Sequence, residues 1–265
     1  MSNIDSNKKI DNYQLGGMNT VVDTIWLKHS NNSQGSWIIK IKEAVRLHEY
    51  LKKLQPKHIL ELGTGIGCST EIMAFTCPDA SIYTLEQSQK CIDVAKTLIS
   101  EKLQEKIYFK YLPAKITKPI YEVNPFVNWL IYSGEHDWLD YDFILIDGPG
   151  PIMVGLKNPD TNEVWKVLAE LPGADLIFLL PKIKEGTIIY IDHRSFMIHL
   201  FIRHLSYYLE VLESTKEHTI FRRTKELLKE DLSDLKNSDM SYQALLRHGY
   251  FEQIPQEQQI HENKE

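Results

Sequence analysis

The chain has little of what would mark it as secreted, membrane-bound or nucleic-acid-binding. It contains three cysteines in 265 residues, Cys68, Cys77 and Cys91. Their number is odd and they form no CxxC pair, which argues against a disulfide framework or a structural zinc site and suits reduced thiols in a cytoplasm. A basic excess is missing as well, since the formal net charge is −6. That charge leaves no overall footprint for nucleic acid. No apolar run approaches the roughly 20 residues that span a bilayer. The most apolar region, Leu176 to Ile191, is broken by Pro181, Lys182, Lys184 and Glu185. The opening MSNIDSNKKIDNYQ lacks the apolar core of a signal peptide. These absences lead to the expectation of a cytoplasmic protein with no membrane or nucleic-acid partner.

What is present is a hydrophobic content of 43% and a charged content of 25%, ordinary for a globular protein able to bury a sizeable core. Residues 1–12 are polar and read as disordered. The stretch to Gly35 is mixed, with Gly16-Gly17 and Asn31-Asn32 as breakers. From Trp37 to Leu54 apolar residues recur at helical spacing, and Pro56 ends that helix. Strands and helices then alternate. Strands are expected at 57–62, 81–85, 106–111, 142–147 and 187–192, with helices at 68–76, 88–102, around 162–171, and 195–206. The segment between the third and fourth strands reads as a long irregular insertion. Strict alternation implies a parallel sheet with helices on both faces. The pattern ends differently. Residues 207–213 and 219–223 are two strands with too short a link for a crossover helix, so they form an antiparallel hairpin.

In an open α/β sheet, ligands bind at the carboxyl ends of the strands, so the chemistry is sought there. The first strand runs into Gly63-Thr64-Gly65-Ile66-Gly67, a turn that lets backbone approach a ligand because glycine has no Cβ and tolerates positive φ. The phosphate-binding fingerprint GxGxxG is not met, because Cys68 stands where its third glycine belongs. The second strand ends at Glu86, about twenty residues beyond the turn, where a carboxylate can accept hydrogen bonds from both hydroxyls of a ribose. The fourth strand ends in Asp147, followed by Gly148-Pro149-Gly150-Pro151, a loop that cannot be helical. The fifth ends in Asp192-His193-Arg194. Two acids and a histidine on adjacent strand ends are an acid/base or a metal constellation, and histidine has the side chain whose ordinary pKa suits a base at neutral pH.

With Glu61 two residues before the first glycine, HILELGTGIGCST resembles motif I of the class I S-adenosylmethionine (SAM)-dependent methyltransferases. The parallel sheet closed by a hairpin is similar to that family's seven-stranded, mostly parallel, Rossmann-like fold. The IDG run at 146–148 is closest to a small-molecule branch with IDG after the fourth strand. The resemblance covers roughly residues 38–223. It implies a domain at 37–224, with 1–36 as an N-terminal extension (a lid or homodimer contact) and 225–265 as a polar tail.

It further implies that SAM lies on Gly63, Thr64, Gly65 and Gly67, with Glu61 ordering the loop and Glu86 on the ribose. The family's acidic residue after the third strand is absent. Leu112-Pro113-Ala114 stands there, leaving the adenine to the backbone of Pro113 and Ala114. Asp147 would lie beside the methyl group, and Asp147, Asp192 and His193 would line the acceptor side as catalytic residues. Catechol-type relatives hold Mg²⁺ with an Asp and an Asp-Asn pair. Here His193 replaces the Asn and is less suited to a hard, oxygen-preferring ion, so no metal ligand set is expected. The implied activity is methyl transfer from SAM to a small molecule, most simply at a hydroxyl oxygen, with S-adenosylhomocysteine (SAH) as product. The alternatives are an NAD-dependent oxidoreductase and a catalytically silent binding module on the same fold.

Overall fold

The computed structural model describes residues 20–33, 38–117, 129–133, 140–157, 164–169, 171–180, 182–206 and 208–224. The expected disorder at 1–12, the tail from Lys225, and Tyr121, Phe126, His136 and Trp138 of the insertion lie outside the described residues. The first elements are α1 (Thr20–Asn31), α2 (Ile41–Leu54), β1 (His58–Leu62), α3 (Cys68–Thr76) and β2 (Ser81–Glu86). Next come α4 (Gln89–Leu98), α5 (Glu101–Gln104), β3 (Ile107–Tyr111), β4 (Ala114–Thr117), β5 (Trp129–Tyr132) and β6 (Phe143–Ile146). The chain continues with β7 (Ile152–Lys157), β8 (Val164–Ala169), α6 (Asp175–Leu179), β9 (Ile188–Asp192), α7 (Ser195–His204), β10 (Leu209–Ser214) and β11 (His218–Arg223).

Seven strands form one sheet in the order β10-β11-β9-β6-β1-β2-β3. All neighbours are parallel except β11, which runs antiparallel to both β9 and β10. The expected parallel sheet with a terminal antiparallel hairpin is therefore present. The chain builds outward from β1 through β2 to β3, then returns to place β6 on β1's other side. Strand order thus reverses between β1 and β6, and the loops leaving these two strands diverge there to open a crevice.

The period-two alternation of side chains along the central strands separates two cores. Ile144, Ile146, Ile189 and Ile191 point to one face, with Trp129, Phe178 and Phe201. Phe143, Leu145, Ile188 and Tyr190 point to the other, under Val22 and Ile25 of α1, Leu47 and Leu51 of α2, and Ile72 of α3. Both faces are covered, which is why β6 and β9 read as continuous apolar runs. Helix α1 is bound by polar contacts too: Trp26 Nε1 donates to Ile39 O at 2.8 Å. Lys28 and the buried His29 both reach Glu71 of α3 at 2.6 Å.

Two segments differ from expectation. The helix expected around 162–171 is strand β8, paired antiparallel with β7 over Ile152↔Ala169 to Lys157↔Val164. Val164, Val167 and Leu168 recur at i, i+3 and i+4 and so imitate a helix. Yet β-branched and aromatic residues suit a strand once a partner is available. The insertion after β3 holds a second hairpin, β4–β5, with Ala114 opposite Tyr132. No helix among the described residues is long and apolar enough to cross a membrane.

Candidate active site

A cleft of about 570 Å³ opens where the strand order reverses, a volume in the range of small-molecule sites. Its floor is the turn after β1. Gly63, Gly65 and Gly67 all have positive φ, at 102°, 51° and 87°. They do different work. A Cβ on Gly63 would sit 2.7 Å from Gly148 N and 2.8 Å from Asp147 C, so this glycine lets the loops after β1 and β6 touch. A Cβ on Gly67 would meet Ala95 Cβ and Ile99 Cδ1 at 2.9 Å, so that glycine seats α4 and is not part of the cleft wall. Gly63, Thr64 and Gly65 do line the cleft.

Glu61 lies beneath the turn, fully buried. Its carboxylate accepts from Ser69 Oγ at 2.5 Å and from Thr70 Oγ1 and Thr84 Oγ1 at 2.6 Å. Burial nevertheless pushes its pKa up to about 7: the three hydroxyls only partly replace water, and the negative charge of Asp147 raises it further. Glu61 thus ties the start of α3 to β2 without facing the cleft. Glu86 does face it. Oε2 accepts the Gly65 N–H at 2.8 Å and Oε1 accepts the Ser88 N–H at 2.9 Å. The Gln87 N–H is a further backbone donor to this carboxylate, which offers about four lone-pair sites when ionised and so has room for one more donor. Burial raises the Glu86 pKa, and the backbone donors of Gly65 and Ser88 hold it back.

The opposite wall comes from the ends of β6 and β9. Asp147, Asp192 and His193 all line the cleft, as the sequence suggested. Asp147 is pushed up to about 6 by burial, opposed by the Arg194 guanidinium. Asp192 is pushed up to about 8, first by burial and then by the neighbouring charges of Asp147 and Glu43. Its Oδ1 is buried with no hydrogen-bond partner and lies 3.9 Å from His193 Nε2. His193 adopts φ 48°, a left-handed conformation that histidine tolerates better than most residues, and its N–H donates to Glu217 O at 2.7 Å. Burial first, then Lys40, lowers its pKa. Arg194 spans the two loops: Nη2 donates to Asp147 O at 2.5 Å and Nη1 to Pro149 O at 3.1 Å.

Ala114 does not reach the cleft; it sits in β4 opposite Tyr132. Other lining residues escaped sequence reasoning. Ile38 and Ile39 close one end, Gln87 and Cys91 flank Glu86, and Leu171, Pro172, Phe196 and Met197 complete the apolar wall. Only Gln87 carried a local signal, as Glu86's neighbour. The rest reach the cleft through chain reversals that no local pattern reports. Among the described residues, no group of three or more His, Cys, Asp or Glu side chains is placed to hold a metal ion.

No family profile matches the chain. Among solved structures, it is similar to a protein from Klebsiella pneumoniae assigned as an O-methyltransferase. The TM-score is 0.52 and the identity 18%, over 80% of this chain and 93% of that one. It is also similar, at a TM-score of 0.49 and 13% identity, to the O-methyltransferase TomG from Streptomyces achromogenes, solved with SAM. That match covers 80% of this chain and 93% of TomG. The likeness to the Klebsiella protein is one of fold. The chain has the Rossmann-like methyltransferase fold.

Proposed function

We propose that the protein transfers a methyl group from SAM to a hydroxyl of a small molecule bound in the cleft at the β1/β6 reversal. The observation that carries this reading is the pairing of the Gly63–Gly65 turn with Glu86, whose carboxylate is fixed by the Gly65 N–H and lines the cleft. A turn with glycines at 63 and 65 and a carboxylate at the next strand end suit a nucleoside's backbone-hugging tail and its ribose. The cleft residues fit the group in that respect. Glu61 and Gly67 support the turn from below and from α4. Residues 37–224 are proposed as the domain carrying the site.

When bound, SAM supplies a methyl on a good leaving group, so the protein's tasks are alignment, exclusion of water and removal of the acceptor's proton. Ile38, Ile39, Phe196 and Met197 give the cleft an apolar lining from which a bound acceptor would displace water. His193, with its pKa below the ordinary value, is neutral at neutral pH and can take up the hydroxyl proton. Arg194 holds the backbone that carries Asp147.

Titration calorimetry with SAH and with NADH tests this reading. SAH should bind and NADH should not. Glu86→Ala should weaken SAH by about 1–3 kcal/mol, the scale of hydrogen bonds to a charged group. Preferential NADH binding would overturn it. A silent binding module is a second reading, favoured by one observation: none of Leu112, Pro113 and Ala114 lines the cleft. Binding of SAH without turnover of any acceptor would favour that reading.

A further inference from the structure

The two oxygens of Glu86 give the cleft a direction. Oε2 faces the glycine turn and accepts the Gly65 N–H, while Oε1 faces the start of α4 and accepts the Ser88 N–H. In a nucleoside, the base and the 5′ tail leave the ribose from carbons on opposite sides of the two that bear the hydroxyls. A ribose hydroxyl on this carboxylate, with the tail on Gly63–Gly65, therefore sends the base past Oε1 toward Gln87. The polar side chains lining this half of the cleft include Thr64, Ser69 and Gln87. Two of them are committed: Thr64 Oγ1 pairs with Thr84 Oγ1 at 2.5 Å, and Ser69 Oγ donates to Glu61 at 2.5 Å. Gln87 is not. Its Oε1 is enclosed, so Nε2 is the end a ligand can meet. That nitrogen donates only to Pro151 O, at 3.4 Å in an exposed contact, longer than an ordinary N–H···O bond. It carries a second N–H as well. Gly150 leaves it uncovered from the loop after β6, since even a Cβ there would stay 3.6 Å away.

From this placement we infer that Gln87 reads the nucleobase of the bound cofactor, its Nε2 donating to a ring nitrogen of adenine. The exchange costs little, because the Pro151 contact is long and the amide has an N–H to spare. The gain is a hydrogen bond made at the edge of the base, where ring nitrogens are acceptors. Glu86 then holds the ribose and Gln87, the next residue, identifies what the ribose carries. Gln87 is on this account a specificity-determining residue and takes no part in methyl transfer. The inference deepens the methyltransferase reading and rests on it for the identity of the nucleoside.

The test is calorimetric titration of the wild type and Gln87→Leu with SAH and with its 1-deaza, 3-deaza and 7-deaza analogues, each of which replaces one ring nitrogen of the base by CH. In the wild type one analogue should bind at least about fourfold weaker than SAH, the scale of one neutral hydrogen bond. In Gln87→Leu, SAH should weaken by about the same factor, and that analogue should bind within about twofold of SAH. Three analogues that all match SAH in the wild type, or a deaza loss that persists undiminished in Gln87→Leu, would each overturn the inference. Should Gln87→Leu fail to fold, Gln87→Glu, which keeps the shape and lacks the amide donor, is titrated in its place and read in the same way. SAH failing to bind the wild type overturns the methyltransferase reading and this inference together. SAH binding without a Gln87-dependent deaza loss overturns this inference alone.

Discussion

The two walls of the cleft are built on opposite principles. On the side of β1 and β2, every carboxylate is tied down: Glu61 accepts three hydroxyls, and Glu86 accepts the backbone N–H groups of Gly65, Ser88 and Gln87. On the side of β6 and β9, Asp192 keeps a buried oxygen without a hydrogen bond, and Arg194 keeps an unpartnered Nε. Gln87 Oε1, beside Glu86, is also buried without a partner, but the carboxylates of the first wall are fixed before any ligand arrives, and that preorganises a cradle for one fixed partner. The second wall has fewer of its side chains fixed by the protein, so it can adjust to what binds beside it, and substrate choice is proposed to reside there.

If that contrast is right, variants on the first wall act on stability and cofactor binding, and variants on the second act on turnover. The largest effect should come from Gly63→Val. Its Cβ would collide with Gly148 N at 2.7 Å in a φ of 102°, so stability should fall by about 4 kcal/mol, read by urea unfolding, with SAH binding lost. Glu61→Ala takes the carboxylate partner from three buried hydroxyls, of which Thr84 Oγ1 keeps Thr64 Oγ1, and should cost about 3 kcal/mol in the same assay. A loss below about 0.5 kcal/mol would mean the hydroxyls find other partners and the first wall is not locked by Glu61.

Asp175, buried behind the second wall, gives a pH-dependent contrast. Its pKa is pushed from 3.8 up to about 7 by burial, against the Tyr132 N–H that it accepts. A carboxyl with a raised folded-state pKa contributes most below its unfolded pKa, and that contribution is lost as pH rises through the folded value. Wild-type stability should therefore decline from about pH 4 to about pH 7 on this account, and Asp175→Asn should remove on the order of 1–3 kcal/mol of that decline. Parallel stability–pH curves for the two proteins would contradict it. The smallest effect on binding should come from Arg194→Lys. Lysine cannot span both the Asp147 and Pro149 carbonyls, so turnover should fall about tenfold while SAH affinity stays within about twofold. An equal loss in both would show that Arg194 serves the first wall as well.

The same contrast governs what could be read from the sequence. The first wall is written in short segments: a strand, glycines at fixed spacing, and a carboxylate at the next strand end. Backbone geometry there depends on residue type, so Gly63, Gly65 and Glu86 were legible, as was the sheet with its terminal hairpin. The division of labour among the glycines was not, because what Gly67 does depends on Ala95 of α4 and on Ile99 just beyond its end. The second wall is assembled from chain reversals. Strand β8 looked helical because its pairing partner β7 is invisible to local periodicity. Leu171 and Pro172 reach the cleft only through that hairpin, and Pro172 O accepts from Leu130 N at 2.8 Å. Asp147, Asp192 and His193 were legible as strand ends, but the missing partner of Asp192 Oδ1 was not.

The most direct test of the central claim is a crystal structure of the protein with SAH. The account predicts the ribose hydroxyls on the Glu86 carboxylate and the amino-acid tail against the Gly63–Gly65 backbone, leaving Asp147, Asp192 and His193 facing open space. A ribose bound away from Glu86, or SAH lying across Asp192 and His193, would contradict it.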